Sequence, residues 1–137
     1  IGEERFEHIV AFERYMARNG YVVLKFFLHV SREEQKRRFL DRLEQPAKNW
    51  KFSTADAEER KRWDDYMSAY EDMIQHTATE HAPWYVVPAD HKWFTRLVVA
   101  SAVIDALERM DLAYPEVDEA KKAELAKARA ELEAEKG

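Results

Sequence analysis

Two apolar runs in the chain have the pattern of buried strands. The run from Tyr21 to Val30 is rich in β-branched and aromatic residues and does not alternate with polar ones, which is typical of a strand covered on both faces in a parallel sheet. A second short run, from Trp84 to Ala89, predicts another strand, and Pro88 near its end marks where pairing stops. We expect the two strands to be parallel neighbours or near neighbours in one sheet.

Apolar residues at helical spacing precede and follow the first strand. Glu3 to Asn19 is predicted to be an amphipathic helix that ends at Asn19-Gly20, because both of these residues tolerate the left-handed conformation. Ser31 and Glu34 have the spacing of a capping box and start a second helix, which Gln45-Pro46 ends. The first strand is therefore followed directly by a helix.

Three further helices are predicted downstream, each after a capping residue or a helix breaker. They run from Ser53 or Thr54 to about Thr77, from His91 to Met110 with Asp90 as the cap, and from Glu116 to Gly137 after Pro115. The last helix is polar on all sides, so we expect it to be exposed. The alternation of helices and strands indicates an α/β fold with a parallel sheet. Two strands make a poor sheet, so further strands are expected upstream or from another chain.

The helix after the first strand is loaded with cations, namely Lys36, Arg37, Arg38 and Arg42. Arg38 and Arg42 are four residues apart and are predicted to share one side of the helix, away from the apolar stripe. Ligands of open parallel sheets bind beyond the carboxyl ends of the strands, and paired guanidinium groups suit phosphate there. The alternative is a solvated face on which nearby carboxylates neutralise the cations. The residues alone leave both interpretations open.

A short basic and aromatic connection follows this helix. Lys48 and Lys51 could extend the same basic track, with Trp50 between them. The residues alone favour the simpler interpretation, an ordinary connection with Trp50 packed into the core.

Composition excludes several other functions. The chain has 137 residues, the length of one domain, and its net charge of -5 argues against general nucleic-acid binding. It has no cysteine, which is compatible with a reducing cytoplasm. No apolar run approaches the roughly 18 residues of a membrane-spanning helix. The chain opens on Ile1-Gly2 without a methionine, which suggests that it is part of a longer protein.

Other catalytic motifs are missing from the sequence. Its five histidines fall in separate predicted elements, and its helical carboxylates are scattered around their helix, so no metal site is predicted. It has no GxSxG nucleophile motif. It has no GxxxxGK[ST] motif and only three glycines, so the phosphate cradle of a nucleotide kinase cannot be built from these residues.

Four blocks, in order, resemble the polyphosphate kinase 2 family. They are Leu24 to Leu43, which resembles the start of that family's lid, Trp50 to Asp56, Arg62 to Glu71, and Ala82 to Asp90. The resemblance implies a P-loop kinase-like, three-layer α/β/α parallel sheet with a helical lid, of which this chain is the C-terminal half. Residues 1–137 would be the C-terminal part of one kinase domain, with the lid at about 31–77 and a helical extension at about 116–137.

The resemblance also implies an activity, the magnesium-dependent transfer of phosphoryl groups between inorganic polyphosphate and AMP or ADP. Arg38 and Arg42 would be catalytic lid arginines, and Lys36, Arg37 and Lys51 would line the phosphate track. The family's phosphate-binding loop and the strand after it would lie upstream of Ile1, so the isolated chain is expected to be inactive. A cytoplasmic homo-oligomer with no nucleic-acid or membrane partner is expected. The alternative from another class is a non-catalytic helical interaction module whose basic patch binds anions.

Overall fold

The computed structural model describes residues 2–135. Its helices and strands occur in the alternating order expected of an α/β protein: α1 (Gly2–Arg18), β1 (Lys25–His29), α2 (Arg32–Glu44), α3 (Thr54–Glu59), α4 (Trp63–Thr77), β2 (Trp84–Pro88), α5 (Lys92–Arg109) and α6 (Glu119–Ala134). The chain forms two compact units, one that runs to Ala106 and one that begins at Leu107. None of the described helices is long and apolar enough to cross a membrane.

β1 and β2 form a parallel two-stranded sheet, as predicted. Their register pairs Lys25 with Trp84 and His29 with Pro88. The amide of Lys25 donates to the carbonyl of Pro83 at 3.1 Å at one end, and the amide of Ala89 donates to the carbonyl of His29 at 2.8 Å at the other. β1 begins four residues later than predicted, because β2 is only five residues long and offers no partner to the residues before Lys25.

The prediction that the first strand is covered on both faces was wrong. Leu28 in β1 is 49% exposed and Val86 in β2 is 57% exposed. The buried apolar residues of the described chain are few and lie in β2 and next to it, at Ala82, Val87 and Ala89. The apolar side chains of β1 are therefore only partly covered by the residues that the structure describes.

A buried ion pair connects three elements of the first unit. The Nζ of Lys25 in β1 donates to the Oε2 of Glu13 in α1 at 2.7 Å and to the carbonyl of Thr77, at the end of α4, at 2.7 Å. Thr77 is itself 1% exposed, and its hydroxyl accepts from the indole nitrogen of Trp84 at 2.9 Å. This network joins α1 and α4 to the start of both strands.

The predicted end of the first helix is confirmed as a Schellman motif. Gly20 has a φ of 83°, its amide donates to Ala17, and the amide of Tyr21 donates to Met16. The left-handed residue turns the chain out of α1 and toward β1.

The long helix predicted from Ser53 or Thr54 to about Thr77 is interrupted. Ser53 caps only the six-residue α3, and a 3₁₀ turn at Arg60–Arg62 separates it from α4. Arg62, with φ −94° and ψ 28°, leaves helical geometry. Arg60 in this turn bonds to Gln35 in α2, so the tighter turn accompanies a tertiary contact that an uninterrupted pattern does not reveal.

Two of the remaining helix boundaries differ from the prediction. Asp90 does not cap α5, which begins at Lys92, because its carboxylate accepts from the amide of Ser31 instead. In the second unit, Asp118 caps α6, which is exposed as expected and starts three residues after Glu116. The predicted end of that helix at Gly137 lies outside the described residues.

Candidate functional site

The candidate site lies where α2 starts, at the carboxyl ends of both strands. The hydroxyl of Ser31 accepts from the amide of Glu34 at 3.1 Å, which is one half of the predicted capping box. The other half is replaced, since the amide of Ser31 donates to the Oδ1 of Asp90 at 2.7 Å. This backbone hydrogen bond holds the pKa of Asp90 below its ordinary value. Asp90 therefore fastens the start of α2 to the end of β2.

Glu34 is the electrostatic centre of the helix. Its carboxylate accepts from Nε and Nη2 of Arg37 and from Nε of Arg38, all at 2.7 Å. These charged hydrogen bonds, from Arg37 first and then from Arg38, lower the pKa of Glu34 to about 2. The carboxylate is thus ionised throughout the physiological range. It is hydrogen-bonded to Arg37 and Arg38, two of the residues that were predicted to bind phosphate.

Arg38 is held against the end of β2. Its Nη2 donates to the carbonyl of Ala89 at 2.8 Å and to that of Asp90 at 3.2 Å, and its side chain is 26% exposed. The Nη1 of Arg38 donates no hydrogen bond within residues 2–135, so its N–H groups remain available to a ligand.

Arg38 and Arg42 lie on one side of the helix, as their spacing of four requires, but the prediction that this side is away from the apolar stripe was wrong for Arg42. Arg38 turns toward Glu34 and the strand end, whereas the guanidinium of Arg42 lies 5.7 Å from the ring centroid of Phe39, a member of that stripe. Carboxylate and carbonyl acceptors attract the first guanidinium, and an aromatic face attracts the second.

The three remaining predicted ligands differ in how far they are neutralised. Arg37 is 60% exposed but is paired with both Glu34 and Asp41, and these carboxylates raise its pKa. Lys36 and Lys51 are exposed and, like Arg42, make no ion pair with any residue that the structure describes. The cations best able to take an external anion are therefore Lys36, Arg42 and Lys51.

The connection after α2 keeps Lys51 near the end of that helix. Residues Pro46–Lys51 form a 3₁₀ turn, and the side-chain amide of Asn49 donates to the carbonyls of Arg42 and Leu43. Trp50 is 78% exposed, with the Nζ of Lys51 5.0 Å from its ring centroid. The expectation that Trp50 packs into the core was therefore wrong, and both residues remain accessible at the surface.

A cleft of about 360 Å³ opens beside α2. Its walls are largely aromatic, and its polar groups come from α2, α3 and the 3₁₀ turn after α3; the lining residues are Phe27, Leu28, Val30, Gln35, Phe39, Asp56, Glu59, Arg60, Trp63, Tyr66, Met67 and Tyr70. The Nη1 of Arg60 donates to Gln35 at 2.7 Å, and the hydroxyl of Tyr66 donates to Glu59 at 2.6 Å, which raises the pKa of Tyr66.

Two contributions to the site were missed from the sequence. Asp90 lies two residues after the end of β2, and its position near a strand end was a signal that it could face the start of α2. Arg60 gave no comparable signal, because acidic residues surround it in the sequence. No group of three histidine, aspartate or glutamate side chains within residues 2–135 is placed to hold a metal ion.

Comparison with known proteins matches this chain to one family. The model of the family Polyphosphate kinase 2 (PPK2) matches residues 2–115. The ADP-polyphosphate phosphotransferase of Rhodopseudomonas palustris is 46% identical over 129 residues, which are 94% of this chain and 45% of that enzyme. An uncharacterized protein in the chlN 3′ region of Leptolyngbya boryana is 54% identical over 135 residues, which are 98% of this chain and 99% of that protein.

A solved structure has the same fold. The crystal structure of Polyphosphate Kinase 2 from Arthrobacter aurescens TC1 matches 93% of this chain with a TM-score of 0.82 and 41% sequence identity, over 45% of its own length. The chain thus spans less than half of each of these two kinases and nearly all of the Leptolyngbya protein.

Proposed function

We propose, from the premise that this chain belongs to the polyphosphate kinase 2 family, that it supplies the basic helix α2 to phosphoryl transfer between inorganic polyphosphate and AMP or ADP. Family membership confirms the resemblance carried by the four sequence blocks. The relative from Rhodopseudomonas is named for transfer between ADP and polyphosphate. Because the chain spans only part of that enzyme, the activity of the whole enzyme is extended to this chain as a proposal.

The observation that supports this function is the placement of α2. The helix starts at the carboxyl ends of two parallel strands and is anchored there by Asp90 and Arg38. Ligands of open parallel sheets bind beyond the carboxyl ends of the strands. Lys36, Arg42 and Lys51 have no carboxylate partner among the described residues. These three cations can therefore bind a polyphosphate chain without first breaking an ion pair.

Arg38 and Arg42 are proposed to act on the transferring phosphoryl group. Phosphoryl transfer depends on positioning and on cations that stabilise charge on the equatorial oxygens. Arg42 can swing from the ring of Phe39, and the Nη1 of Arg38 can donate while its other nitrogens stay bonded. Arg38 would therefore hold a fixed direction, whereas Arg42 is the more mobile of the two.

Lys36, Arg37 and Lys51 are proposed to line the track of the polyphosphate chain. The two lysines have no carboxylate partner among the described residues, whereas Arg37 would have to share its guanidinium with Glu34 and Asp41. Arg37 is accordingly the weakest contributor of the three. The helical lid at about 31–77 is part of the same proposal, with closure bringing these cations over the substrate.

Magnesium is expected from the family, but the described residues do not form a site for it. No suitable group of three metal-ligating side chains exists within residues 2–135, so no step of the mechanism is assigned to a metal held by this chain. The sequence also lacks a GxxxxGK[ST] loop. The chain on its own is therefore proposed to bind polyphosphate without turning over nucleotides.

A chimeric enzyme tests the function. Residues 2–115 would replace the matching part of the Rhodopseudomonas phosphotransferase, and ATP formation from ADP, or ADP formation from AMP, would be measured with polyphosphate and magnesium. We expect the chimera to be active, and Arg42→Ala in it to lower kcat by about 10²–10³ with a smaller change in the KM for nucleotide.

Lys61→Ala is the matched control, because Lys61 is an exposed cation that is already paired with Glu58 and has no proposed role. A soluble, folded chimera without activity would contradict the function, as would full activity in both the Arg38→Ala and Arg42→Ala chimeras. If the chimera does not fold, the proposal is tested instead by measuring the binding of polyphosphate to the purified chain. The absence of binding at low salt would contradict the proposal.

A further inference from the structure

Asp90 contacts both the start of α2 and the guanidinium of Arg38. Its Oδ1 accepts from the amide of Ser31 at 2.7 Å, which fixes the first turn of α2. Its main-chain carbonyl accepts from the Nη2 of Arg38 at 3.2 Å, beside the 2.8 Å bond from the same nitrogen to the carbonyl of Ala89. Asp90 therefore acts on Arg38 twice, on its backbone through Ser31 and on its guanidinium through the carbonyl.

These bonds determine the orientation of the one guanidinium nitrogen of Arg38 that is left over. Nε donates to Glu34 at 2.7 Å and Nη2 donates to two carbonyls. Because a guanidinium is a rigid plane, fixing two of its nitrogens also fixes the third, Nη1. The N–H groups that Arg38 can offer to a ligand are thus oriented before a ligand arrives, which is the arrangement that favours electrostatic stabilisation in catalysis.

The carboxylate of Asp90 is close to Arg38 but does not pair with it. Hydrogen bonds from Ser31 are the main cause of the lowered pKa of Asp90, and the charge of Arg38 is a smaller one. The Oδ1 of Asp90 is bonded to the amide of Ser31, and the carboxylate that pairs with Arg38 is that of Glu34. A second carboxylate on Arg38 would weaken its attraction for an anion. The bond to Ser31 therefore leaves Arg38 available.

From these contacts we infer that Asp90 is a positioning residue for the proposed phosphoryl transfer, which keeps the Nη1 of Arg38 oriented toward the polyphosphate chain through a hydrogen bond and not through its charge. The inference rests on the proposed function for the identity of the anion. Charge alone would have the opposite effect on binding, because a carboxylate beside the site repels a polyanion. The direction of the change on mutation therefore distinguishes the two roles.

Binding of labelled polyphosphate to the full 137-residue chain at low salt tests the inference. Asp90→Asn and Asp90→Ala both remove the negative charge, but only asparagine keeps an oxygen that can accept from Ser31. We expect Asp90→Asn to bind at least as tightly as the wild type. Asp90→Ala should bind about two- to fivefold more weakly than Asp90→Asn, which is the range for one exposed ion pair. In an Arg38→Ala background the two variants should bind equally, because Asp90 acts through Arg38.

Asp118→Ala is the matched control. The carboxylate of Asp118 also accepts a backbone amide at 2.7 Å, that of Lys121, but it lies in the second unit of the chain. Its removal takes away one negative charge and one hydrogen bond of the same kind. Because neither of them contacts Arg38, polyphosphate should bind this variant as tightly as the wild type, or slightly more tightly.

NMR of the Arg38 side chain provides a signal that a loss of stability alone would not change. In the free wild type, Nη1 and Nη2 should give separate signals, because the bonds from Nη2 to two carbonyls hinder rotation of the guanidinium. Polyphosphate should shift the Nη1 signal and leave that of Nη2 in place. The two signals should merge in Asp90→Ala and stay separate in Asp90→Asn. If Asp90→Ala does not fold, as judged by circular dichroism, the response of the wild-type signals decides.

Three results would overturn the inference. The first is equal binding of polyphosphate by Asp90→Asn and Asp90→Ala, and the second is separate Nη1 and Nη2 signals in Asp90→Ala. The third is a wild type in which polyphosphate shifts the Nη2 signal of Arg38 but not that of Nη1. A wild type that binds no polyphosphate at all would contradict the proposed function, whereas the spectra of the free variants would still show whether Asp90 orients Arg38.

Discussion

The Nη2 of Arg38 donates to the carbonyl oxygen of Ala89 at 2.8 Å, across 51 positions of sequence. Ala89 is 6% exposed and follows the last residue of β2, so this bond fastens the basic helix to the carboxyl end of the sheet. Together with the bond from Ser31 to Asp90, it gives α2 two points of attachment there. Arg38 thus has a structural role whether or not it also contacts phosphate.

Removing this attachment should destabilise the chain. We expect Arg38→Ala to lower the free energy of unfolding by about 1–2 kcal/mol, because two carbonyls and Glu34 lose a charged donor in a partly buried setting. Urea unfolding monitored by circular dichroism measures the change. Arg37→Ala is the control, since Arg37 is exposed and contacts only α2, and it should have little effect. Equal effects from the two variants would argue against the attachment.

The contribution of Glu34 should depend on pH in a defined window. Its pKa is lowered to about 2 in the folded chain, against an ordinary value of about 4.3 in an unfolded one. Its stabilisation is therefore complete above the unfolded value and is lost as pH falls toward 2. The melting temperature of the wild type should exceed that of Glu34→Gln at pH 6, and the difference should shrink steadily between pH 5 and pH 2. A difference that stayed constant over this range would contradict the assignment.

Removing only Lys25 from its ion pair with Glu13 should destabilise the chain more than removing both charges. Lys25→Met leaves the carboxylate of Glu13, which is 7% exposed, without its partner, and we expect a loss of about 3–5 kcal/mol. The double variant Lys25→Met with Glu13→Leu removes both charges and should recover most of that loss, because burying two apolar side chains of similar size costs little. Urea unfolding of the wild type, of Lys25→Met, of Glu13→Leu and of the double variant completes the cycle, and additive effects of the two single changes would contradict a direct pair.

Gly20 and Gly2 offer a matched test of backbone geometry. Gly20 has a φ of 83° and no atom within 4 Å of an added Cβ, so Gly20→Ala suffers conformational strain without a clash. The expected loss is about 1–2 kcal/mol. Gly2 lies in α1 with equally open surroundings, and Gly2→Ala should be neutral or slightly stabilising. Thermal unfolding of both variants decides whether the Schellman motif depends on a left-handed residue.

Local sequence patterns predicted much of the fold correctly. The capping role of Ser31, the helix end at Asn19-Gly20 and the parallel pairing of the two strands were all confirmed. Each depends on residues that are close in sequence or on an apolar run with a single favourable arrangement.

What the sequence could not predict depends on distant partners. A helical wheel places Arg38 beside Arg42 but contains no information about the carbonyl of Ala89. The interruption at Arg60–Arg62 occurs without a glycine or proline and accompanies a contact with Gln35 in another helix. The exposure of Leu28 depends on what covers the sheet, which the apolar pattern of one strand does not specify.

The cations of α2 should differ in their contribution to polyphosphate binding, and the ranking follows from their ion pairs. Arg37 is neutralised by two carboxylates, whereas Lys36 and Arg42 have no ion-pair partner among the described residues. The segment from Arg32 to Lys51 carries seven cations and four carboxylates, so its attraction for a polyanion depends on those few unpaired charges. Such exposed charges are screened by salt.

Fluorescence anisotropy of labelled polyphosphate, titrated with the purified chain at several salt concentrations, tests this ranking. Lys36→Ala and Arg42→Ala should each weaken binding and reduce the slope of log affinity against log salt by roughly 1, as expected when one phosphate contact is lost. Arg37→Ala should have a smaller effect on both quantities, because removing it frees Asp41 but takes away a cation that was already neutralised. Equal losses for Arg37→Ala and Arg42→Ala would show that the ion pairs on α2 open readily in solution, and the ranking would then be wrong.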